Sequence, residues 1–148
     1  MIPTGEDGID HINIYSKGKT KLGRWLSNFT YTPFELKDYG KFTSIEGLWG
    51  WLKSEDDFFR YLDGISAKKQ AKKIVNPIQR DDFNEIIKKG IDAKLKTYPK
   101  KLNDFKYSKL PFAHYYVRNG EKVDAGHEWI VEHFELRRKQ LKNFYGIH

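Results

Sequence analysis

Leu26-Ser27-Asn28-Phe29, followed by Thr43-Ser44-Ile45-Glu46 and, seven residues after the glutamate, Lys53, is the stretch from which the fold is read. Ahead of it, Ile12-Asn13-Ile14-Tyr15 has the short alternation of a strand. Between its halves stand Pro33-Phe34-Glu35-Leu36 and the turn-forming Lys37-Asp38-Tyr39-Gly40. Beyond Thr43 the pattern becomes helical, with Trp49, Leu52 and Phe59 as the apolar stripe. Thr43 with Glu46 three positions on reads as a capping box. A helix is therefore predicted from about Ser44 to Leu62, closed by Asp63-Gly64. The succession of strand, turn, loop and helix start brings polar groups to a helix N-terminus. Anions gather there because the first amides lack helical partners and the dipole is positive.

Working outward, residues 1–11 are expected as a loosely ordered lead-in, and Gly18 to Gly23 as a basic loop. Part of Trp25 to Phe34 is expected to be extended. Ser66 suits the N-cap of a short helix, Ala67 to Ile74, stopped by Asn76-Pro77. Asp82 and Glu85 form a second capping box, opening a helix from Phe83 to about Lys96 that buries Ile86, Ile87, Ile91 and Leu95. Residues 100–111 read as a polar, aromatic connector. Phe112 to Val117 has strand composition, and Asn119-Gly120 signals a hairpin returning through Val123. A last helix is expected from about His127 to Lys142, with Ile130, Val131, Phe134 and Leu141 on its apolar side. The fold class is mainly α with a small β element, an α+β arrangement.

At 148 residues the chain suits one domain, residues 1–148, with a core of its own. No apolar run approaches the roughly 20 residues of a spanning helix, and the N-terminus lacks a signal-peptide pattern, so a soluble, cytoplasmic protein without a membrane partner is expected. The absence of cysteine excludes disulfides, thiol catalysis and Cys-based metal sites. His127 and His133 are six apart and do not share a helical face, and there is no HExxH, P-loop or GxGxxG, so neither metal nor cofactor is expected. The net charge of +7 points to an anionic partner. Clusters at Lys17/Lys19/Lys21/Arg24, Lys68/Lys69/Lys72/Lys73, Lys88/Lys89, Lys100/Lys101 and Arg137/Arg138/Lys139 are either solvated helix faces or patches for nucleic acid.

Ser27-Asn28-Phe29, Pro33-Phe34, Ser44-Ile45-Glu46 and Lys53, in this order and spacing, resemble the NADAR (YbiA-like) family. The basic lead-in from Tyr15-Ser16-Lys17-Gly18 to Gly23-Arg24-Trp25 is similar to the family's start. The resemblance covers residues 12–97, and Gly47 and Trp51 depart from it: many members have His at the first, and a small or polar residue is usual at the second. It implies a single-domain, mainly helical fold and an N-glycosidase acting on an ADP-ribose adduct. The implied partners are ADP-ribosylated DNA or a nucleotide, with guanine as the modified base. Hydrolysis of a phosphorylated riboflavin-pathway intermediate is the alternative within the family, and a non-catalytic ADP-ribose or nucleic-acid reader the alternative outside enzymes. Reversal of nucleic-acid ADP-ribosylation suits an antitoxin or a phage counter-defence protein, the latter working in the host cytoplasm.

Most of the candidate residues carry a structural reading beside a functional one. Glu46 is either the capping glutamate or, as the resemblance implies, the catalytic carboxylate that moves protons and faces positive charge at the anomeric carbon. Lys53 lies within about 20° of it around the helix and roughly 10 Å along. It is a surface lysine, a phosphate ligand or a Schiff-base nucleophile. Trp49 is core or a base-stacking platform. Asn28 is a turn residue or a ribose ligand, and Arg24 a surface cation or a pyrophosphate clamp. Ser27 and Phe29 come with the same motif. The family's later aromatic-glycine motif is not recognisable among His114, Tyr116, Asp124 and Trp129, where Asp124 is a turn residue or a second substrate-binding carboxylate.

Overall fold

The computed structural model describes residues 2–146. In chain order the elements are β1 (Ile12–Asn13), α1 (Lys21–Leu26), β2 (Phe34–Leu36), β3 (Gly40–Phe42), α2 (Ile45–Ser54), a 3-10 helix (Asp57–Tyr61), α3 (Gly64–Ala71), α4 (Phe83–Thr97), α5 (Pro99–Tyr107), β4 (Phe112–Ala113), β5 (Tyr115–Arg118), β6 (Glu121–Asp124) and α6 (Glu128–Phe144). The class is α+β, with helices and, among the described residues, three two-stranded sheets. The backbone gathers into two compact units, Asn28–Pro99 and Met1–Ser27 with Lys100–His148.

Asn28–Pro99 is built around α2. Its inward residues Ile45, Leu48 and Leu52 are buried with Phe34, Leu36 and Phe42 of the β2–β3 hairpin, Phe59 of the 3-10 helix and Ile86, Ile87, Ile91 and Leu95 of α4. The hairpin pairs Phe34 with Phe42 and Leu36 with Gly40, turning at Asp38 (φ 72°) and Gly40 (φ 93°) as Lys37-Asp38-Tyr39-Gly40 implied. The helix predicted to reach Leu62 is broken. Glu55 adopts a left-handed cap (φ 54°), and Asp56 restarts the chain as a 3-10 turn by accepting Phe58 N–H at 2.9 Å. Glycine makes the fold-back possible. A Cβ at Gly47 would stand 2.5 Å from Phe59 O and 2.8 Å from Leu62 O, and one at Gly50 only 2.3 Å from the Phe59 ring. Any side chain at Gly47 would meet those two carbonyls. Helix α3 begins at Gly64 after Asp63, two residues before the expected Ser66 cap. The capping box foreseen at α4 is absent, because Asp82 pairs with Arg80 and Glu85 with Lys88.

In the other unit, β1 and β4 pair in parallel, Ile12 with Phe112 and Asn13 with Ala113. The buried Asn13 side chain prolongs this pairing: Nδ2 donates to Tyr115 O (2.8 Å), and Oδ1 accepts from Tyr115 N (3.0 Å). Phe105, Phe112 and Phe134 pack with centroids 5.6–6.0 Å apart. The expected basic loop is instead the start of α1, where Thr20 Oγ1 accepts from Gly23 N (2.9 Å). The expected connector is α5, for which Pro99 supplies a helix-compatible first residue while Phe105 is buried. Asn119 (φ 52°) and Gly120 (φ 78°) form the turn of the β5–β6 hairpin. The lead-in is tied down rather than loose. Asp7 accepts the amides of Asn13 and Lys19, and buried His11 bonds Asp10 and Tyr115, each at 2.6 Å. Met1 of that lead-in lies outside the described residues. Leu141 of α6 is half-buried, whereas His133 and Arg138, unforeseen as core, are buried.

Candidate active site

The site begins with how α2 is capped. Ser44, in an extended conformation, is the N-cap: its Oγ accepts from Gly47 N (2.9 Å) and donates to Leu62 O (2.8 Å). Thr43, the expected cap, donates to the same carbonyl at 3.0 Å. Three residues after Ser44 comes Gly47, so there is no capping box, and the Glu46 carboxyl is not engaged in one. The anion site expected of free amides is also altered. Glu46 N donates to Asn28 O (2.9 Å) and Gly47 N to Ser44 Oγ, so the negative charge at this helix end is the Glu46 side chain itself.

Glu46 keeps some solvent access, yet burial pushes its carboxyl from 4.5 up to about 7, against the opposing positive fields of Lys68 and then Lys53. A pKa there populates both proton states at neutral pH, which suits general acid–base work. Lys53 Nζ lies 5.8 Å from the ring centroids of both Trp49 and Phe83, and these two rings meet edge to face at 4.8 Å. Trp49 is half-buried, and its ring stands at 84° to that of Phe83. Asn28 joins Glu46 through its backbone. Among the described residues its Oδ1 is a buried side-chain acceptor without a partner. Phe29 accepts Gly64 N–H through its carbonyl (2.9 Å), and its ring sits 5.9 Å from Lys68 Nζ. Trp51 is held elsewhere, donating to Asp57 (3.0 Å) beside Phe42, Tyr39 and Arg60.

Asn28, Phe29, Glu46, Trp49 and Lys53 thus fall in one unit, with Glu46 in the first turn of α2 and Lys53 in its last. Arg24, Ser27 and Asp124 belong to the other. Arg24 donates to Gly18 O (2.8 Å), Ser27 is the buried C-cap of α1, and Asp124 accepts Gly126 N–H (2.8 Å) as a turn residue does. Nearby, His114 is held neutral by burial, with Nδ1 2.7 Å from Ile14 O. Sequence reasoning missed Lys68 and Phe83 as neighbours of the site. Lys68 stood in a basic cluster indistinguishable from others, and only the placement of α3 brings its charge to Glu46. Among the described residues, no group of three His, Asp or Glu side chains is arranged to hold a metal ion, and no helix is long and apolar enough to cross a membrane.

An NMR structure of the E. coli protein YbiA aligns over 99% of this chain and 97% of its own, with a TM-score of 0.70 and 16% identity. The fold is similar to that of YbiA. At that identity the likeness to YbiA is one of architecture. No family model matches the sequence, and no curated protein matches it.

Proposed function

We propose that this chain is an N-glycosidase that removes ADP-ribose from a guanine adduct in nucleic acid, as the NADAR-like order of its motifs on a YbiA-like fold suggests. The observation that carries the reading is Glu46, a carboxyl free of capping duty and poised by burial near pKa 7 between two lysines. In the reaction the bond between ribose C1′ and the base nitrogen breaks, and its electron pair leaves with the nitrogen. Water oxygen bonds to C1′. Glu46 faces the developing positive charge as carboxylate, takes the proton from water and returns it to the departing base. Asn28 Oδ1 accepts from a ribose hydroxyl, and the open part of Trp49 stacks on a ring of the substrate. Lys53 and Lys68 offset phosphate charge. Lys53 Nζ stands 5.8 Å from the Trp49 and Phe83 ring centroids, a cation–π arrangement, and it acts on substrate charge rather than as a Schiff-base nucleophile.

The test is incubation with single-stranded DNA carrying ADP-ribosylated guanine, beside Glu46→Ala and Lys53→Ala, with released ADP-ribose separated by chromatography. Wild type should release it, Glu46→Ala should not, and borohydride should trap no covalent adduct. Turnover should fall as salt rises, as expected of a polyanionic substrate. Cleavage by Glu46→Ala at the wild-type rate would remove the mechanism. Adduct that stays bound and intact would make the protein a reader.

A further inference from the structure

We propose that the adjoining C-terminal ends of α5 and α6 form a binding surface for single-stranded nucleic acid, separate from the Glu46 site. Three aromatic rings stand in solvent there: Tyr107 is 57% exposed, Phe144 82% and Tyr145 56%. They are held rather than loose. Lys106 Nζ lies 3.8 Å from the Tyr145 centroid and 5.0 Å from that of Tyr107, bridging the two, and Phe144 meets Tyr145 at 5.0 Å. Lys142 Nζ donates to Ser108 O (2.7 Å) and Arg138 Nη1 to Ser108 Oγ (2.9 Å), fastening one helix end to the other.

Charge decides which partner fits. Residues 105–111 and 136–146 contain six Lys or Arg and no Asp or Glu. The adjacent Glu135 is already engaged by Arg138 and the Phe112 amide. Lys109 and Lys139 are exposed, and the ammonium of Lys142 is disfavoured by burial and then by the like charges of Arg138 and Lys109. An arriving anion relieves that crowding. Flat open rings set among cations match alternating bases and phosphates, and a single strand offers base faces that a duplex keeps stacked.

The experiment measures anisotropy of a labelled, unmodified oligothymidylate of about 20 nucleotides and its duplex with oligoadenylate at low salt. Its subjects are wild type, Phe144→Ser alone, Phe144→Ser with Tyr107→Ser and Tyr145→Ser, and Lys109→Glu with Lys139→Glu. The single strand should bind at least about tenfold tighter than the duplex, the triple aromatic variant should lose at least about tenfold, and the charge variant should flatten the salt dependence. Phe144→Ser alone, which removes a ring mostly in water, should already weaken binding. Undiminished binding by both aromatic variants, or no strand binding by wild type, would overturn the proposal. So would loss, in those variants, of anionic-vesicle binding or self-association without any affinity for the strand. Because the probe carries no ADP-ribose, the outcome is independent of whether Glu46 cleaves anything.

Discussion

Replacing Glu46 by glutamine should abolish turnover and make the protein more stable, by an amount that depends on pH. Burial raises the folded-state pKa from 4.5 to about 7. Between those values Glu46 binds more protons in the folded state than in the unfolded one, so its contribution to stability is most favourable below pH 4.5 and is lost as pH rises through 7. At about 1.36 kcal/mol per pH unit the loss is at most about 3 kcal/mol, and residual solvent access brings the expectation to about 1–3 kcal/mol. Glutamine is neutral throughout and avoids it. Urea unfolding of wild type and Glu46→Gln at pH steps from 4 to 8 isolates this residue, since every other titration is common to both proteins. The difference should be near zero at pH 4 and plateau above pH 7. A difference that does not change with pH, or a variant destabilised at pH 8, would refute the assignment of a buried carboxyl.

The same electrostatics sets the rate profile. Lys68→Met removes the larger of the two positive fields on Glu46, so the acid limb of kcat/KM should move to higher pH, with a smaller move for Lys53→Met. Lys94, fully buried in α4, has its amine pushed down to about 7 by burial alone. Lys94→Met should therefore stabilise by about 1–3 kcal/mol at pH 7, an advantage that shrinks towards pH 10 as the unfolded-state lysine approaches its ordinary pKa of 10.5; thermal melts at the two pH values read it. Gly47→Ala should destabilise by about 1–3 kcal/mol, read as a lower urea midpoint, because its Cβ meets the carbonyls of Phe59 and Leu62, and Gly47→His should cost more.

What the sequence disclosed, and what it withheld, divides along physical lines. The buried face of α4 and the Asn119-Gly120 hairpin were legible because periodicity and turn chemistry are local. Capping was misread because Thr43 and Ser44 are both good caps, and only the tertiary carbonyl of Leu62, to which both hydroxyls donate, accompanies the choice of Ser44. The end of α2 was misplaced for a similar reason: nothing in Glu55-Asp56 demanded a left-handed residue until Phe59 packed against Gly50. Glu46 and Lys53 were singled out through the order of motifs. Lys68 and Phe83 were not, since their approach depends on how α3 and α4 pack on α2.

The pair Gly47 and Gly50 has a consequence for how this scaffold can change. Along that side of α2 the next segment rests directly on the helix backbone, through its own carbonyls at Gly47 and the Phe59 ring at Gly50. On the adjoining side stand Glu46, Trp49 and Lys53, none of which holds that contact. Under the proposed function, specificity and support are thereby carried by different strips of one helix. Substitution at Trp49, or at Phe83 across from it, can retune what the site accepts while the mounting of the carboxylate stays the same.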